Sequence, residues 1–305
     1  FNMINKRIIS DYYNSIIFET NENVNVYIVG GYLRDILLGR KIYDRDYVIQ
    51  GDFNKFLKTI VNKLDGKLIR LGEKNLNRII LKNGQLLDFM PLYGNIENDI
   101  SKRDFTINSL AWSPKTGIID LYDGISDLKN RCIRMLRIEN LKDDPLRIVR
   151  AYRMAEELSL NIEQDTREAI KTICSMIKNI STERITLEIF RILNLKEPVK
   201  ILKLMLKDGV LPKIISFPYN ELNKRLNVIN HINKKLNKLH LKDRFKLNSV
   251  FSQNLIYTGL IRLEILLHGM PENRLSLSSA IDKRLINIKR AFDILRNNNN
   301  RMKKN

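Results

Sequence analysis

Asp44 and Asp46 stand two residues apart in the run Asp44-Arg45-Asp46-Tyr47-Val48-Ile49, which reads as a strand. Side chains alternate along a strand with period two, so both carboxylates fall on one face. Two like charges held that close repel unless a cation sits between them, and the simplest cation is Mg²⁺ shared with nucleotide phosphates. Upstream, the apolar run Val26-Tyr27-Ile28-Val29 meets Gly30-Gly31 and then a short helix carrying Arg34 and Asp35. A glycine turn lets backbone N–H groups approach an anion at a helix N-terminus. Glycine turn plus acidic pair suggests a nucleoside triphosphate site that uses metal. It is not a dinucleotide fingerprint, because the third glycine is missing and the acidic residues come too early. Standing alone, such a pair would more often be a tight structural turn with two solvated aspartates on an edge strand.

The elements that would position these residues follow from periodicity. Residues 4–20 have apolar positions at helical spacing, as do residues 53–66, where Gly66 stops the helix. Residues 67–72, 77–84 and 85–92 read as three short strands, the last two joined by an Asn83-Gly84 turn. Residues 96–113 read as one helical stretch ending before Pro114, and 117–124 as a hairpin-like segment. From Leu128 onward nearly every long segment has a helical pattern. The pattern predicts an α+β head with a small mixed sheet, followed by an all-helical arm. The final Asn-rich run 297–305 reads as a disordered tail.

The chain of 305 residues has 53 Lys and Arg against 34 Asp and Glu, a net charge of +19. From residue 201 onward there are 21 Lys and Arg against 7 Asp and Glu, so +14 of the excess is C-terminal. That imbalance points to a polyanionic partner, nucleic acid or an acidic membrane surface. A Lys-, Asn- and Ile-rich composition imposed by genome bias is the alternative. Cys132 and Cys174 do not make a disulfide framework, and no Cys/His spacing suits zinc, so free thiols in a reducing, cytoplasmic setting are expected. No apolar run approaches a membrane span, and no signal-peptide pattern opens the chain.

The stretch Val29–Asp46, VGGYLRDILLGRKIYDRD, resembles motif A of the class II tRNA nucleotidyltransferase and poly(A) polymerase family. The resemblance implies that the Gly31 N–H and Arg34 clamp a triphosphate. Four further segments resemble that family's motifs, in its order. DISKRDFTINSLAW (99–112) is similar to the second motif, which implies that Arg103 faces the triphosphate or ribose and that Asp104 and Asn108, one helical turn apart, read the sugar hydroxyls. IIDLYDG (118–124) is similar to the flexible element between head and neck. DDPLRIVRAYRMA (143–155) is similar to the base-recognition helix, implying that Asp144 and Arg147 offer hydrogen-bonding edges to the incoming base, with Arg150 and Arg153 near the nucleotide. Where the CCA-adding enzymes usually carry Glu-Asp, this chain has Asp143-Asp144. STERITLEIFRIL (181–193) is similar to the next motif, with Glu183, Arg184 and Glu188 as a helix-bracing charge network.

The resemblance implies a polymerase-β-like palm as nucleotidyltransferase head (1–138), a helical neck with the base-recognition helix (139–200), and a basic body and tail that bind RNA (201–305). It implies two-metal, template-independent addition of C and/or A to the 3′ end of tRNA from CTP or ATP, with Mg²⁺ on Asp44 and Asp46 as the catalytic pair. A bacterial poly(A) polymerase acting on general RNA ends shares all five motifs. A non-catalytic RNA-binding relative is the reading from another class, against which the intact acidic pair argues. Only 13 residues separate Asp88 from Lys102, where CCA-adding members carry a longer connection with a flexible lever, and this points to a partial member, adding CC or the final A. Asp88 reads as an ordinary strand aspartate, with a third active-site carboxylate as the alternative.

Overall fold

The computed structural model describes residues 2–20, 23–42, 44–72, 75–270, 274–288 and 290. The expected tail at 297–305 lies outside them. The chain divides into two compact units, residues 1–140 and 141–305.

The first unit is α+β. Helices α1 (Asn2–Ile9) and α2 (Tyr12–Glu19) precede β1 (Asn25–Val29), α3 (Gly31–Leu37), β2 (Asp44–Gln50), α4 (Phe53–Leu64), β3 (Lys67–Leu71), β4 (Leu76–Ile80), β5 (Leu86–Pro91), α5 (Ile96–Ser101), β6 (Leu110–Ser113), β7 (Gly117–Asp120) and α6 (Gly124–Lys129). The strands form one seven-stranded sheet in the order β3-β4-β5-β2-β1-β6-β7. The β2–β5 pair is parallel, and the other pairs are antiparallel. β2 is therefore a central strand, so the edge-strand reading of its aspartates is excluded. On the Arg45 face of β2, Tyr47 and Ile49 are fully buried, as are Ile28, Leu87, Phe89 and Trp112 on neighbouring strands. The Tyr47 and Phe89 rings stack with centroids 5.0 Å apart across the β2–β5 pair.

Two expected helices are corrected. The helix predicted over 4–20 is broken at Ser10-Asp11, because the Asp11 carboxylate accepts from the Tyr13 and Asn14 N–H groups and starts a new helix there. The helix predicted over 96–113 ends at Ser101, followed by a single 3₁₀ turn (Thr106–Asn108) and then β6. Tertiary pairing won over periodicity: Ala111 and Trp112 pair with β1, and β6 pairs with β7.

The second unit is helical. Its principal helices are α7 (Ile138–Asp143, which begins at the end of the first unit), α8 (Leu146–Leu158), α9 (Gln164–Ile173), α10 (Thr182–Leu193), α11 (Pro198–Lys207), α12 (Tyr219–Leu236), α13 (Leu241–Leu247) and α14 (Tyr257–Leu267). α8 packs on α10 and α11, α11 on α12, and α14 on both α10 and α12. The core is aliphatic, with Ile148, Val149, Ile185, Ile189, Leu202, Met205, Leu226 and Leu263 fully buried. Beneath it, Asp208 accepts from the Tyr152 hydroxyl at 2.9 Å and pairs with Arg167 at 2.7 Å.

Candidate active site

In the first unit the acidic pair sits where the strand pattern places it. Asp44 is exposed, Asp46 is half-buried, and Arg45 between them is buried on the opposite face. The parallel register sets Asp46 directly beside Asp88 of β5. Asp88 is engaged by a bidentate pair from Arg78, with Nε–Oδ1 at 2.7 Å and Nη2–Oδ2 at 2.8 Å. Burial pushes the Asp46 carboxyl up, the Arg103 charge pulls it back, and Asp88 and Asp44 push it up again, leaving it at about 6. A carboxyl raised this way is short of positive charge.

Cationic groups line the approach. Gly30 has φ +68°, which favours glycine, and a Cβ there would lie 2.7 Å from Arg103 Nη1, so a larger residue would push that guanidinium aside. Arg103 is steered by Asp99, whose Oδ2 accepts from Nη2 at 2.8 Å. The backbone on either side is held by Asn140, whose amide donates to the carbonyls of Ser101 (2.8 Å) and Arg103 (2.7 Å). Gly31 opens α3, the helix that presents Arg34. Arg34 donates to Asp35 Oδ1 at 2.9 Å and to Asn108 Oδ1 at 2.7 Å, and Asn108 in turn donates to Asp104 Oδ1 at 2.9 Å.

Asp104 and Asn108 are buried, at 4% and 6% exposure, and they are not one turn apart on a helix. They meet because the Thr106–Asn108 turn folds the chain back, and the pair lies behind Arg34. That turn is clamped by Asp127, which accepts from the Thr106 hydroxyl at 2.5 Å and from Arg134 Nε at 3.0 Å.

Behind β2 lies a buried polar hub that periodicity marks only as inward-facing. Arg45 Nη2 donates to Asp11 Oδ2 at 2.6 Å, while the other oxygen of Asp11 caps α2. Asn14 donates to the Ile8 carbonyl (2.9 Å) and to the Tyr32 hydroxyl (2.6 Å), and accepts from the Tyr47 hydroxyl at 2.5 Å. One asparagine thus ties α1, α3 and β2 together.

In the second unit Asp144 lies in the break between α7 and α8, one residue before Pro145, rather than within the helix. Its Oδ1 accepts from the Leu146 N–H at 3.3 Å, and Arg184 on α10 holds it through Oδ2 at 2.8 Å and Oδ1 at 3.0 Å. Burial pushes the Asp144 carboxyl up, but the hydrogen bond and charge of Arg184 outweigh it and leave the group below its ordinary value. Arg147 sits in the first turn of α8, and its N–H donates to the Asp144 carbonyl at 3.0 Å. Arg147 and Arg150 are half-buried. Arg153 is engaged by Glu188 at 2.7 Å and by Glu157, and Glu188 also pairs with Arg191 at 2.7 Å. Arg153 is therefore a brace between α8 and α10. Sequence reasoning missed Arg78, Arg45 and the Arg184–Asp144 pair; only the alternation on β2 signalled that Arg45 turns inward.

Two family models match the chain: the poly(A) polymerase head domain over residues 26–92 and 90–134, and the probable RNA- and SrmB-binding site of polymerase A over residues 159–220. Together they cover just over half of the 305 residues. The chain belongs to the tRNA nucleotidyltransferase and poly(A) polymerase family. A CC-adding tRNA nucleotidyltransferase of Synechocystis is 31% identical over 189 residues, covering 60% of this chain and 45% of that protein. One of Geobacter sulfurreducens is 36% identical over 188 residues, covering 60% of this chain and 44% of that protein. The chain thus spans just under half the length of these relatives. A solved Thermotoga maritima CCA-adding enzyme complexed with tRNA superposes with a TM-score of 0.79 over 95% of this chain and 72% of that one, at 24% identity, which carries the fold. The mixed sheet is thus the head of this family.

Enzymes of this family use divalent metals. Among the described residues no group of three or more His, Cys, Asp or Glu is drawn together to hold an ion alone. Two aspartates on one strand face, with Asp46 raised to about 6 by burial and by the neighbouring Asp88 and Asp44, fit an ion that takes its remaining oxygens from a triphosphate and water.

Proposed function

We propose that this chain carries the nucleotide-adding machinery of a cytoplasmic tRNA nucleotidyltransferase, which adds C and/or A from CTP or ATP to the 3′ end of tRNA and releases pyrophosphate. The observation that carries this reading is the Asp44/Asp46 face with Asp46 poised at about 6, facing Arg103 across the Gly30 turn. In the reaction a bond forms between the RNA 3′-oxygen and the α-phosphorus, and the bond from that phosphorus to the pyrophosphate oxygen breaks.

Asp44 and Asp46 would hold Mg²⁺, which when bound neutralises the triphosphate and favours ionisation of the attacking hydroxyl. Arg34 and Arg103, each pre-aimed by a carboxylate, supply positive charge to the β- and γ-phosphates, with the Gly31 N–H alongside. Asp104 and Asn108 keep Arg34 in place and are candidates for contact with the ribose. Base choice falls to Asp144 and Arg147, whose acceptor and donor edges complement the polar edges of C or A. Arg184 keeps Asp144 ionised, so that it acts as an acceptor only. Arg150 adds charge nearby. Residues 139–200 serve as the neck and 201–305 as the RNA-holding body, in keeping with the C-terminal surplus of +14.

The connection from β5 to α5 is Leu92–Asn95, with Asn95 capping the helix. This short connection favours a partial member of the family, adding CC or the final A. The test offers tRNAs ending in the discriminator base, in C, and in CC, with labelled CTP and ATP separately. Extension of the first two by CTP only identifies CC addition, and extension of the third by ATP only identifies A addition. Equal extension of RNAs lacking a tRNA elbow identifies a poly(A) polymerase. No incorporation on any RNA overturns the enzymatic reading.

A further inference from the structure

The second unit contains a cavity of about 370 Å³, walled by the segment after α10, the C-terminal half of α12, α13 and the start of α14. Its size lies within the range of roughly 300–1,000 Å³ typical of small-ligand sites. Three cations line it, Lys196, Arg244 and Arg262, and no carboxylate does. Glu197, next in sequence, is turned to the Asn237 amide at 3.3 Å.

Arg262 is only 4% exposed. Its Nε donates to Asn233 Oδ1 at 3.0 Å, Nη1 to the carbonyls of Leu193 and Leu195 at 2.6 Å each, and Nη2 to the Lys196 carbonyl at 3.2 Å. Those acceptors are neutral, so the buried charge is hydrogen-bonded but not cancelled. Burial pulls the group down to about 10 against a weak opposing pull from Glu197. A guanidinium has five N–H donors, and four have acceptors among the described residues.

Asn233 is 2% exposed, and its amide orientation is fixed because Oδ1 must accept from Arg262. Its Nδ2 has no partner among the described residues, and the residue lines the cavity. A buried donor without an acceptor is costly, so native folds supply one from an ordered water or a bound ligand. Lys196 is exposed and Arg244 half-buried, and neither side chain makes an ion pair among the described residues.

We infer that this cavity is a phosphate-binding site, separate from the nucleotide site of the head, in which Asn233, Arg262, Arg244 and Lys196 converge on the phosphate oxygens. Three cations and an orphaned amide donor suit a phosphate, which offers two or more anionic acceptor oxygens and one or two negative charges, better than they suit water or a lone carboxylate. The phosphate is either free inorganic phosphate or a phosphodiester of bound RNA. A phosphodiester ligand would rest on the proposed RNA-holding role of residues 201–305, whereas an inorganic phosphate site would not.

The test compares the intact protein with its Lys196→Gln/Arg244→Gln variant, both substitutions lying outside the proposed nucleotide site and the buried core. Inorganic phosphate is titrated at ionic strength matched with chloride, following the thermal midpoint and binding heat. The expected result is saturable binding that stabilises the wild type and is weakened at least about tenfold in the variant. In parallel, binding of a tRNA acceptor-stem hairpin is followed against salt. A phosphodiester ligand predicts weaker RNA binding in the variant and a log–log salt slope reduced by about one. Unchanged RNA binding with lost phosphate binding identifies free phosphate as the ligand. If the folded variant, with an unaltered midpoint in chloride, binds phosphate and RNA as the wild type does, the site is overturned. CTP incorporation is scored separately, so loss of the enzymatic reading leaves this result standing.

Discussion

Replacing Asp46 by Asn is expected to make the metal-free protein more stable while abolishing nucleotide incorporation. The carboxyl rises from an ordinary 3.8 to about 6 because burial, Asp88 and Asp44 outweigh the attraction of Arg103 and Arg78. In the unfolded chain Asp46 ionises near 3.8, whereas in the folded chain it keeps its proton until about 6. As pH rises between these values the unfolded state loses a proton that the native state retains, so native stability falls across this window and stays lowered above it. The rise corresponds to at most about 3 kcal/mol at pH 7 and above. Asn has nearly the same shape and carries no charge, so it removes that penalty at any pH above the window. For a chain of this size the gain translates to roughly 5–10 °C in thermal midpoint. The assay is thermal unfolding of wild type and Asp46→Asn in chelator from pH 4 to 8, with incorporation measured on the same samples after Mg²⁺ is restored. The two midpoints should converge near pH 4 and diverge up to about pH 6, and Mg²⁺ should stabilise the wild type alone. A variant no more stable than wild type at pH 7.5, or a difference that does not shrink on acidification, refutes the electrostatic account of the site.

Asp44→Ala is expected to abolish incorporation and leave tRNA binding within about twofold, as gel shift and extension assays will show, because it removes a metal ligand and no RNA contact. Gly30→Ala forces a Cβ to within 2.7 Å of Arg103 Nη1 at φ +68°, so it should lower incorporation at least about a hundredfold by displacing that arginine, with the circular dichroism spectrum unchanged. Arg45→Met leaves Asp11 without its 2.6 Å partner in a mostly buried setting, and urea unfolding should register a loss of about 3 kcal/mol. Arg184→Ala frees Asp144 to rise toward or above its ordinary value, so discrimination between CTP and UTP should weaken most on the acid side of the pH profile while the Mg²⁺ requirement stays the same.

Most of the head's chemistry was set by local sequence. Alternation along residues 44–50 put Asp44 and Asp46 on one face and Arg45 on the other, and the Gly30-Gly31 turn followed from an apolar run meeting two residues without Cβ. Those are consequences of backbone geometry over fewer than ten residues, and tertiary context did not alter them. What sequence could not decide were matters of pairing between distant segments. Residues 106–113 had a helical pattern, yet Ala111 and Trp112 were claimed by β1, and this pulled Asp104 and Asn108 out of a helix and into a buried hydrogen bond behind Arg34. Asp88 became a neighbour of Asp46 only through the parallel register of β2 and β5, where its charge adds to the rise that burial imposes on the Asp46 carboxyl. Arg184 found Asp144 forty positions away because α10 packs on α8. Sequence thus determined which groups face the chemistry, since that depends on the period of a strand and the freedom of glycine. The charge state and aim of those groups depend on desolvation and on partners brought from far along the chain, and only the tertiary structure decided them.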